Sequence, residues 1–470
     1  MPFVLSMENK GSGEDTIAAI ATPIGQAGIG IVRISGDKAK DVARRVFRPN
    51  TPTQDFESHR LYLGHFIDPA TGESIDEVLL TYMKSPRSYT REDVIEINSH
   101  SGHFLLAKIL QVLLGEGIRL ARPGEFTFRA FMNGRIDLTQ AEGVVDLINS
   151  RSERGLQLAA EQIKGALRKT IEELRQRALD MLAHLEAAID FPEEDFATLH
   201  KEPTISQMEE DLVSPIERII ASHDQRKLWL EGVRLVIVGR VNVGKSSLLN
   251  RLLNEERAIV TPYPGTTRDV IESTIHIHGL PFRIADTAGI RKARGEIEKI
   301  GVHLAQEEMA KADLSLLVID QSRPLNQEDI RIIRQANRDK CILVINKIDL
   351  SPRLDETKLT PLAECRPIVR ISALTGAGIS QLKEKIKEAT LAGTVDGGTS
   401  PFVPNLRHKQ VLLEASNAFK RAVASIREDL PYEVTAMELH SGLDALGEVT
   451  GETTSEEILD RIFSQFCLGK

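Results

Sequence analysis

The strongest constraint on the fold is a series of four short motifs, each placed at the end of a strand-like run. RLVIVG leads into GRVNVGKS at 239–246, FRIAD into DTAG at 286–289, CILVIN into NKID at 346–349 and IVRIS into SAL at 372–374. Amphipathic segments lie between these runs, which is typical of a parallel sheet with crossover helices. The region 232–392 is therefore predicted to be an α/β unit.

GRVNVGKS fits the pattern GxxxxGK[ST] of a phosphate-binding loop. Its glycines let the backbone wrap so that N–H groups surround the phosphates, while Lys245 reaches the β and γ oxygens and Ser246 offers a hydroxyl to Mg²⁺. The loop also opens the helical segment SSLLNRLL, whose N-terminal dipole favours a bound phosphate. This context makes a chance match much less plausible than the pattern alone.

The other three motifs follow in the order that a GTPase requires. Asp286 is predicted to hold Mg²⁺ through water, and the Gly289 N–H to contact the γ-phosphate. The Asp349 carboxylate is an acceptor for the guanine N1–H and amino group, a pair that adenine does not present. Any one motif could be an ordinary strand-to-loop turn, but all four in order predict GTP. The predicted GTP-binding residues are Asn242, Val243, Gly244, Lys245, Ser246, Ser247, Thr261, Pro262, Tyr263, Pro264, Gly265, Thr266, Thr267, Asp286, Thr287, Ala288, Gly289, Asn346, Lys347, Ile348, Asp349, Ser372, Ala373 and Leu374.

The residue after DTAG does not fit the Ras pattern, in which a glutamine orients the attacking water. Here that residue is Ile290, so other groups must supply the missing roles. Asn242 could donate an oxygen to a monovalent cation, or simply cap the loop. Glu298 could position water, or lie on a solvated helix face. Thr267 is the best candidate for a Mg²⁺ ligand in the first switch loop.

The rest of the chain divides into regions with different sequence patterns. Strand-like runs broken by Gly, Pro and Ser predict a mixed α/β module from residue 15 to about 133. Helical periodicity follows, with Thr139 and Glu142 as a predicted capping box and Pro215 as a predicted kink or break. Helices return after 400, and Thr454 and Glu457 are predicted to cap the last one. The two helical regions are either one domain interrupted by the α/β unit or two separate domains.

Composition excludes several classes of protein. A chain of 470 residues predicts two to four domains, and 41% hydrophobic with 27% charged residues excludes a disordered or fibrous chain. Three dispersed cysteines support neither a zinc site nor disulfides, and a reducing cytoplasm fits. No stretch is apolar enough to span a membrane, and the N-terminus does not read as a secretory leader. The net charge of −9 argues mildly against a nonspecific RNA binder.

Taken together, these segments resemble the tRNA modification GTPase family MnmE (TrmE) over essentially the whole chain. The resemblance is carried by ATPIGQAGIGIVRISG, SYTREDVIEINSHSG, ARPGEFTFRAFMNGRIDLTQAE, EAAIDFPEED, GRVNVGKSSLLN, TPYPGTTRDV, DTAGIR and TGETTSEEILDRIFSQFCLGK. The RPGEFT segment and the ending CLGK are far more specific than a phosphate-binding loop.

The resemblance implies a multidomain α+β and α/β architecture. Its segments would be an N-terminal folate-binding module (1–136), a helical domain in two parts (137–231 and 395–470) and an inserted Ras-like G domain with a mostly parallel sheet (232–394). It also implies a homodimer. The likeness assigns K⁺ to Asn242 with Thr261, Tyr263 and Thr266, Mg²⁺ to Ser246, Thr267 and Asp286, and catalytic roles to Asn242, Lys245 and Glu298.

The same likeness implies that Arg33, Glu96, Arg135 and Lys470 bind a 5-formyl- or methylene-tetrahydrofolate, whose glutamate tail and pterin need cations and an acceptor. Many relatives have lysine where Arg135 stands. The alternative for Arg33 and Glu96 is a strand-edge ion pair. Cys467 is either a functional thiol or a buried one on the last helix.

The function implied is a potassium-dependent GTPase that works with the flavoprotein MnmG (GidA) to form 5-carboxymethylaminomethyl or aminomethyl uridine at the tRNA wobble position. The alternatives are a ribosome-assembly GTPase acting as an RNA-binding factor, and a slow signalling switch. The first alternative usually carries a second G domain or a KH module, and neither is visible here. Because the chain is acidic, tRNA is expected to meet a local basic patch or to be held mainly by the partner.

Overall fold

The computed structural model describes residues 15–23, 25, 27–191, 200–255, 273–284, 307, 309–363, 366–392 and 401–470. The chain falls into two compact units. Unit 1 comprises Met1–Val145, Leu167–Gln176 and Leu443–Lys470, and unit 2 comprises Asp146–Ala166 and Arg177–Gly442. The four predicted segments stay a prediction, because both units contain helices from the region 137–231.

Unit 1 is built on a seven-stranded sheet. Its strands are β1 Ile17–Ile20, β2 Gly30–Ser35, β3 Phe47–Pro49, β4 Arg60–Ile67, β5 Ser74–Met83, β6 Val94–Ser99 and β7 Arg119–Leu120. They lie in the order β3-β4-β5-β6-β2-β1-β7, and every pairing is antiparallel except that of β1 with β7. The strand-like runs of the sequence are thus confirmed as strands of one sheet.

The two faces of this sheet differ. Helices α1 Ala39–Val46 and α2 His103–Gly115 supply Val42, Leu106 and Ile109 to a core that also holds Val32 and Ile34 of β2. Because side chains alternate along a strand, Arg33 points to the other face. That face is more open, and the polar side chains discussed below lie on it.

The remaining helices are α3 Glu125–Met132, α4 Leu138–Asn149, α5 Glu153–Ile163, α6 Ala166–Asp190, α7 Lys201–Met208, α8 Ser214–Ala221, α9 Asp224–Arg226, α10 Lys245–Glu255, α11 Gln327–Gln335, α12 Glu356–Ala363, α13 Ile379–Leu391, α14 Leu406–Arg427, α15 Tyr432–Thr450 and α16 Glu456–Phe463. Pro215 lies in the first turn of α8, directly after a π-helical turn at Glu209–Val213. The chain stays helical through this proline, so the predicted break is absent, and the predicted kink stays a prediction.

Unit 2 contains a six-stranded sheet of β8 Val233–Val238, β9 Ser273–Ile277, β10 Leu280–Ile284, β11 Leu314–Asp320, β12 Cys341–Asn346 and β13 Ile368–Arg370. The order is β13-β12-β11-β8-β10-β9, and only the pairing of β9 with β10 is antiparallel. Every residue of β11 and β12 is buried, as expected for central parallel strands covered on both faces. The predicted fold class, with a mostly parallel sheet beside α+β and helical parts, is confirmed.

Both predicted capping boxes are wrong in position. Helix α4 begins at Leu138, so the cap is Asp137, whose Oδ1 accepts from the Gln140 N–H at 3.0 Å, while Gln140 Oε1 accepts from the Asp137 N–H. The cap of α16 is Ser455, which makes no side-chain capping bond. Thr454 donates its hydroxyl to the Glu448 carbonyl instead. Capping patterns recur in polar sequence, and the packed helix decides which one is used.

The long helical run also has a break that periodicity does not reveal. It divides at Gly165, whose φ of +90° ends α5 and begins α6. In the part of the chain that the structure describes, no helix is long and apolar enough to cross a membrane.

Candidate functional site

The phosphate-binding loop joins β8 to α10, as the sequence predicts. Gly239 has φ +154°, Asn242 +65° and Gly244 +102°, so three residues hold backbone conformations that most side chains avoid. A Cβ on Gly244 would lie 2.2 Å from Asn346 Nδ2. The loop therefore turns tightly, and α10 begins at Lys245 directly after it.

Lys245 lies across this loop. Its Nζ donates to the carbonyl oxygens of Gly239 and Arg240, at 2.6 Å each. Burial lowers the pKa of the ammonium group from its ordinary value. These two bonds hold the Lys245 ammonium group against the loop.

Asn346 ties the end of β12 to two other loops. Its side chain is buried, its Nδ2 donates to the Val243 carbonyl at 2.8 Å, and its Oδ1 accepts from the Ala373 N–H at 3.0 Å. One amide thus joins the phosphate-binding loop, the NKID turn and the SAL turn. These three predicted motifs lie together at one edge of the sheet.

The lysine of NKID has a partner that the motifs do not contain. Lys347, with φ +66°, donates from Nζ to the Asn242 carbonyl at 2.7 Å and to Asp320 Oδ2 at 2.6 Å. Asp320 ends β11 and is buried. Its burial would raise its pKa, but the hydrogen bonds from Lys347 and Ser322 outweigh this effect and hold the pKa below its ordinary value. An ion pair between the partly exposed Lys347 and the buried Asp320 therefore holds the NKID turn against the end of β11.

The guanine-reading groups are partly engaged with one another. Ser372 Oγ donates to Asp349 Oδ1 at 2.5 Å, which orients the carboxylate predicted to accept from guanine. The Ser372 N–H donates to Ala377 O and the Ala373 N–H to Asn346 Oδ1. Of the three SAL amides, Leu374 N–H alone has no partner among the described residues, so it is the sharper candidate for the guanine carbonyl.

Two arginines hold these loops in place. The sequence analysis did not predict either of them. Arg240 donates from Nε to the buried Asp329 Oδ1 at 2.8 Å, which connects the phosphate-binding loop to the N-terminus of α11. Arg251 of α10 donates to the carbonyl oxygens of Ala373 and Leu374. Both contacts join residues far apart in sequence, so no local pattern could have predicted them.

Several predicted site residues lie outside the described residues. These are Thr261, Pro262, Tyr263, Pro264, Gly265, Thr266, Thr267, Asp286, Thr287, Ala288, Gly289 and Glu298. Of the predicted Mg²⁺ and K⁺ ligands, only Ser246 and Asn242 are therefore described. Both are exposed, and whether Asn242 caps the loop or holds a cation stays a prediction. Among the described residues, no group of three or more His, Cys, Asp or Glu could hold a metal ion.

The second candidate site lies on the open face of the sheet in unit 1. Arg33 on β2 and Glu96 on β6 stand directly opposite each other. Arg33 Nε and Nη2 each lie 2.8 Å from Glu96 Oε1. The ion pair is real, but it lies in the middle of the sheet, so the strand-edge alternative is wrong about its place.

The end of the chain completes this site. Arg33 Nη1 donates to the Gly469 carbonyl at 3.2 Å, and the Phe126 N–H donates to the Lys470 carbonyl at 3.2 Å. Gly469 has φ +88°, and a Cβ there would lie 2.5 Å from Ile20 O. The tail therefore lies flat against β1. Burial, with the nearby Arg33 charge, lowers the pKa of Lys470.

Arg135 joins the same group through an aromatic ring. Its Nη1 donates to the Tyr89 carbonyl at 2.9 Å, and its Cζ lies 4.7 Å from the centre of the Tyr89 ring. The Arg33 Cζ lies 5.6 Å from that ring. The four residues that the resemblance assigns to folate are thus gathered around Tyr89 and the tail, although they are widely separated in sequence.

A buried ionic network lies beside this site. Arg129 on α3, with its side chain 10% exposed, contacts Asp15, Glu92 and Glu125 at 2.6 to 3.2 Å. Burial raises the pKa of Glu125, but hydrogen bonds and charge from Arg119 and Arg129 outweigh it, and the pKa lies below its ordinary value. The network anchors α3, which carries residues that contact the tail.

Cys467 is exposed, so the alternative of a buried thiol is wrong. Its role as a functional thiol stays a prediction. Its carbonyl accepts from the Gly124 N–H at 3.5 Å, which holds the tail against the start of α3.

Comparisons with known proteins show which family the chain belongs to. The family described as "MnmE helical domain" matches residues 138–467, and "GTP-binding protein TrmE N-terminus" matches residues 16–135. The tRNA modification GTPase MnmE of Geobacillus thermodenitrificans is 44% identical over 97% of this chain and 99% of its own length. That of Bacillus subtilis is 42% identical over 97% and 100%. A solved structure, the G domain of the T. maritima FeoB iron transporter, is 29% identical over 33% of this chain and 98% of its own, at a TM-score of 0.25.

Proposed function

Because the chain belongs to the tRNA modification GTPase family MnmE, we propose that it is potassium-dependent and works with the flavoprotein MnmG on the tRNA wobble uridine. Family membership makes the chain a GTP hydrolase that takes part in tRNA modification. The product proposed is 5-carboxymethylaminomethyl or aminomethyl uridine, and the setting is the cytoplasm. The observation that carries the proposal is that one chain combines the tight loop before α10 with the Arg33–Glu96 ion pair beside Lys470.

The described loop residues have separate tasks in GTP hydrolysis. Lys245 would leave the Gly239 and Arg240 carbonyls to donate to the β and γ phosphate oxygens, where its charge stabilises the transition state. Asp349, oriented by Ser372, would accept from guanine. Ser246 with Thr267 and Asp286 would hold Mg²⁺, which neutralises developing charge on the phosphates when it is bound.

Asn242 is the described residue proposed to hold K⁺, with Thr261, Tyr263 and Thr266 supplying further oxygens. An exposed amide without a partner among the described residues suits this task, since K⁺ is bound by oxygen ligands. K⁺ would supply positive charge beside the phosphates, and Glu298 would position the attacking water, which Ile290 cannot do. The two G domains of a homodimer are proposed to meet across GTP.

The unit 1 site is proposed to hold a 5-formyl- or methylene-tetrahydrofolate as the one-carbon donor. The donor set fits this ligand: Glu96 is an acceptor for the pterin, and Arg33, Arg135 and Lys470 are cations for the glutamate carboxylates.

Contact between α8 and α14, through Glu217 and Lys420 at 2.6 Å, supports the proposal of one helical domain (137–231 and 395–470). This domain would be interrupted by the G domain (232–394) and preceded by the folate module (1–136).

The decisive test is the mass spectrum of tRNA nucleosides from a strain lacking this protein. We expect loss of the wobble modification and its restoration by the intact chain but not by Lys245→Ala. Unchanged wobble uridines in the deletion strain would refute the role in modification and favour the ribosome-assembly alternative.

A second test concerns potassium. GTP turnover is expected to be several-fold faster in K⁺ than in Na⁺, and Asn242→Ala should remove this difference. Val241→Ala is the matched control, since its side chain is 75% exposed in the same loop. Equal rates in both salts for the unaltered chain would exclude the potassium role of Asn242.

A further inference from the structure

The Tyr89 ring is shared by the two arginines of the proposed folate site. The Cζ atoms of Arg33 and Arg135 lie 5.6 and 4.7 Å from its centre, within the range of cation–π attraction. We propose that Tyr89 is a positioning residue, which orients both guanidinium groups for an anionic tetrahydrofolate. This inference rests on the proposed function, and it adds a residue that neither the motifs nor the comparisons assign.

The ring is held in place before any ligand binds. Tyr89 Oη lies 3.0 Å from Thr127 Oγ1, and Thr127 is buried on α3. The ring also packs against a buried cluster that contains Ile17, Ala19, Ala121 and Phe126. Since both its face and its hydroxyl are fixed, the ring is a rigid surface rather than a mobile side chain.

The two arginines differ in what else restrains them. Arg33 is fixed by Glu96, by the Gly469 carbonyl and by Phe126, whose ring centre lies 5.6 Å from Arg33 Cζ. Arg135 has no carboxylate partner among the described residues. Its orientation depends on Tyr89 alone in that part of the chain, through the ring and the backbone carbonyl. The Arg135 charge is therefore available to a ligand carboxylate, and Tyr89 orients the guanidinium group that carries it.

This arrangement gives a physical account of arginine at position 135. A guanidinium group is planar and stacks on an aromatic ring while its N–H groups stay in a fixed fork, which an ammonium group does not do. An arginine on a rigid ring can present two parallel donors to one carboxylate. Replacing the ring should thus weaken ligand binding without removing any ligand-contacting charge.

The test is calorimetric titration of 5-formyltetrahydrofolate into the full chain. We expect Tyr89→Leu to weaken binding by about tenfold and Tyr89→Phe by no more than about twofold, since phenylalanine keeps the ring face. Tyr432→Leu, a half-exposed tyrosine in unit 2, is the matched control and should leave the affinity unchanged. If Tyr89→Leu does not fold, Tyr89→Met carries the same test.

A double-mutant cycle with Arg135→Ala separates positioning from general packing. If Tyr89 acts through Arg135, Tyr89→Leu should cost less in the Arg135→Ala background than in the unaltered chain. Full additivity, or equal losses for Tyr89→Phe and Tyr89→Leu, would overturn the inference while leaving the folate site in place. An unaltered chain that does not bind 5-formyltetrahydrofolate would overturn both.

Discussion

The two candidate sites of this protein are built by opposite means. The candidate nucleotide site consists of short loops at one edge of a mostly parallel sheet, and buried Asn346 and Asp320 tie these loops together. The unit 1 site consists of side chains on the face of an antiparallel sheet, and the last residues of the chain complete it. Local sequence specifies the first kind of site, and long-range packing specifies the second.

The largest expected effect comes from Gly244→Ala. A Cβ 2.2 Å from Asn346 Nδ2, at φ +102°, would break the loop, so GTP affinity should fall by more than about 100-fold. Folate binding should be unchanged, since the substitution lies in unit 2. The measurement is fluorescence titration with a labelled GTP analogue.

Gly279→Ala is the control for this loop, because it shares a positive φ of +80° but has nothing within 4 Å of the added Cβ. Comparing Gly279→Ala with Gly244→Ala separates the effect of the steric clash from the effect of backbone strain at positive φ. Normal GTP affinity in Gly244→Ala would mean that the described loop is not the binding conformation.

The reverse effect is expected from Gly469→Ala. The added Cβ would meet Ile20 O at 2.5 Å and lift the tail from β1, so 5-formyltetrahydrofolate affinity should fall by about 30-fold while GTP turnover without tRNA stays unchanged. Gly72→Ala, also at positive φ but in open space, is the matched control. A loss of GTP turnover in Gly469→Ala would show that the two sites are not separable.

A smaller effect is expected from Asp320→Asn, which weakens the pairing with Lys347. The NKID turn should loosen, and GDP and GTP affinity should both fall by about tenfold, with little change in turnover at saturating GTP. Asp339→Asn, on an exposed turn, serves as the control. A change in turnover number without a change in affinity would argue against a role in the guanine pocket.

The smallest effect is a dependence of unit 1 on pH. Because Glu125 has a lowered pKa in the folded chain, its contribution to stability is full above its ordinary value of 4.5 and is lost as the pH falls through the folded value. The protection of α3 amides against hydrogen exchange, relative to the intrinsic rate at each pH, should therefore fall on acidification more than that of α10 amides. Glu125→Gln should show less protection in α3 than the unaltered chain near neutral pH and a smaller further fall below it.

How far sequence reasoning reached differs between the sites. The strands, the loop before α10 and the association of NKID with SAL follow from local pattern, and the structure places them together. Exact helix starts do not follow: Asp137 and Ser455 are the caps, because several polar residues compete and packing selects one. Periodicity also missed the break at Gly165.

In unit 1 the sequence offered the charges and one possible ion pair, Arg33 with Glu96, but not the other contacts. The resemblance supplied Arg33, Glu96, Arg135 and Lys470, and nothing in residue spacing indicated Tyr89. Its role depends on a ring that lies within 5.6 Å of the Cζ atoms of two arginines. Such contacts join residues that are far apart in sequence, so no periodic pattern in the sequence indicates them.

By itself, the sequence determined the family, the mostly parallel sheet of unit 2 and the tight loop before α10, because these depend on glycine conformations, strand periods and motifs a few residues long. The tertiary structure alone decided that Asp320 holds Lys347, that Gly469 lies on β1, and that Tyr89 serves two arginines. These are contacts between distant segments, and their geometry exists only once both cores have packed.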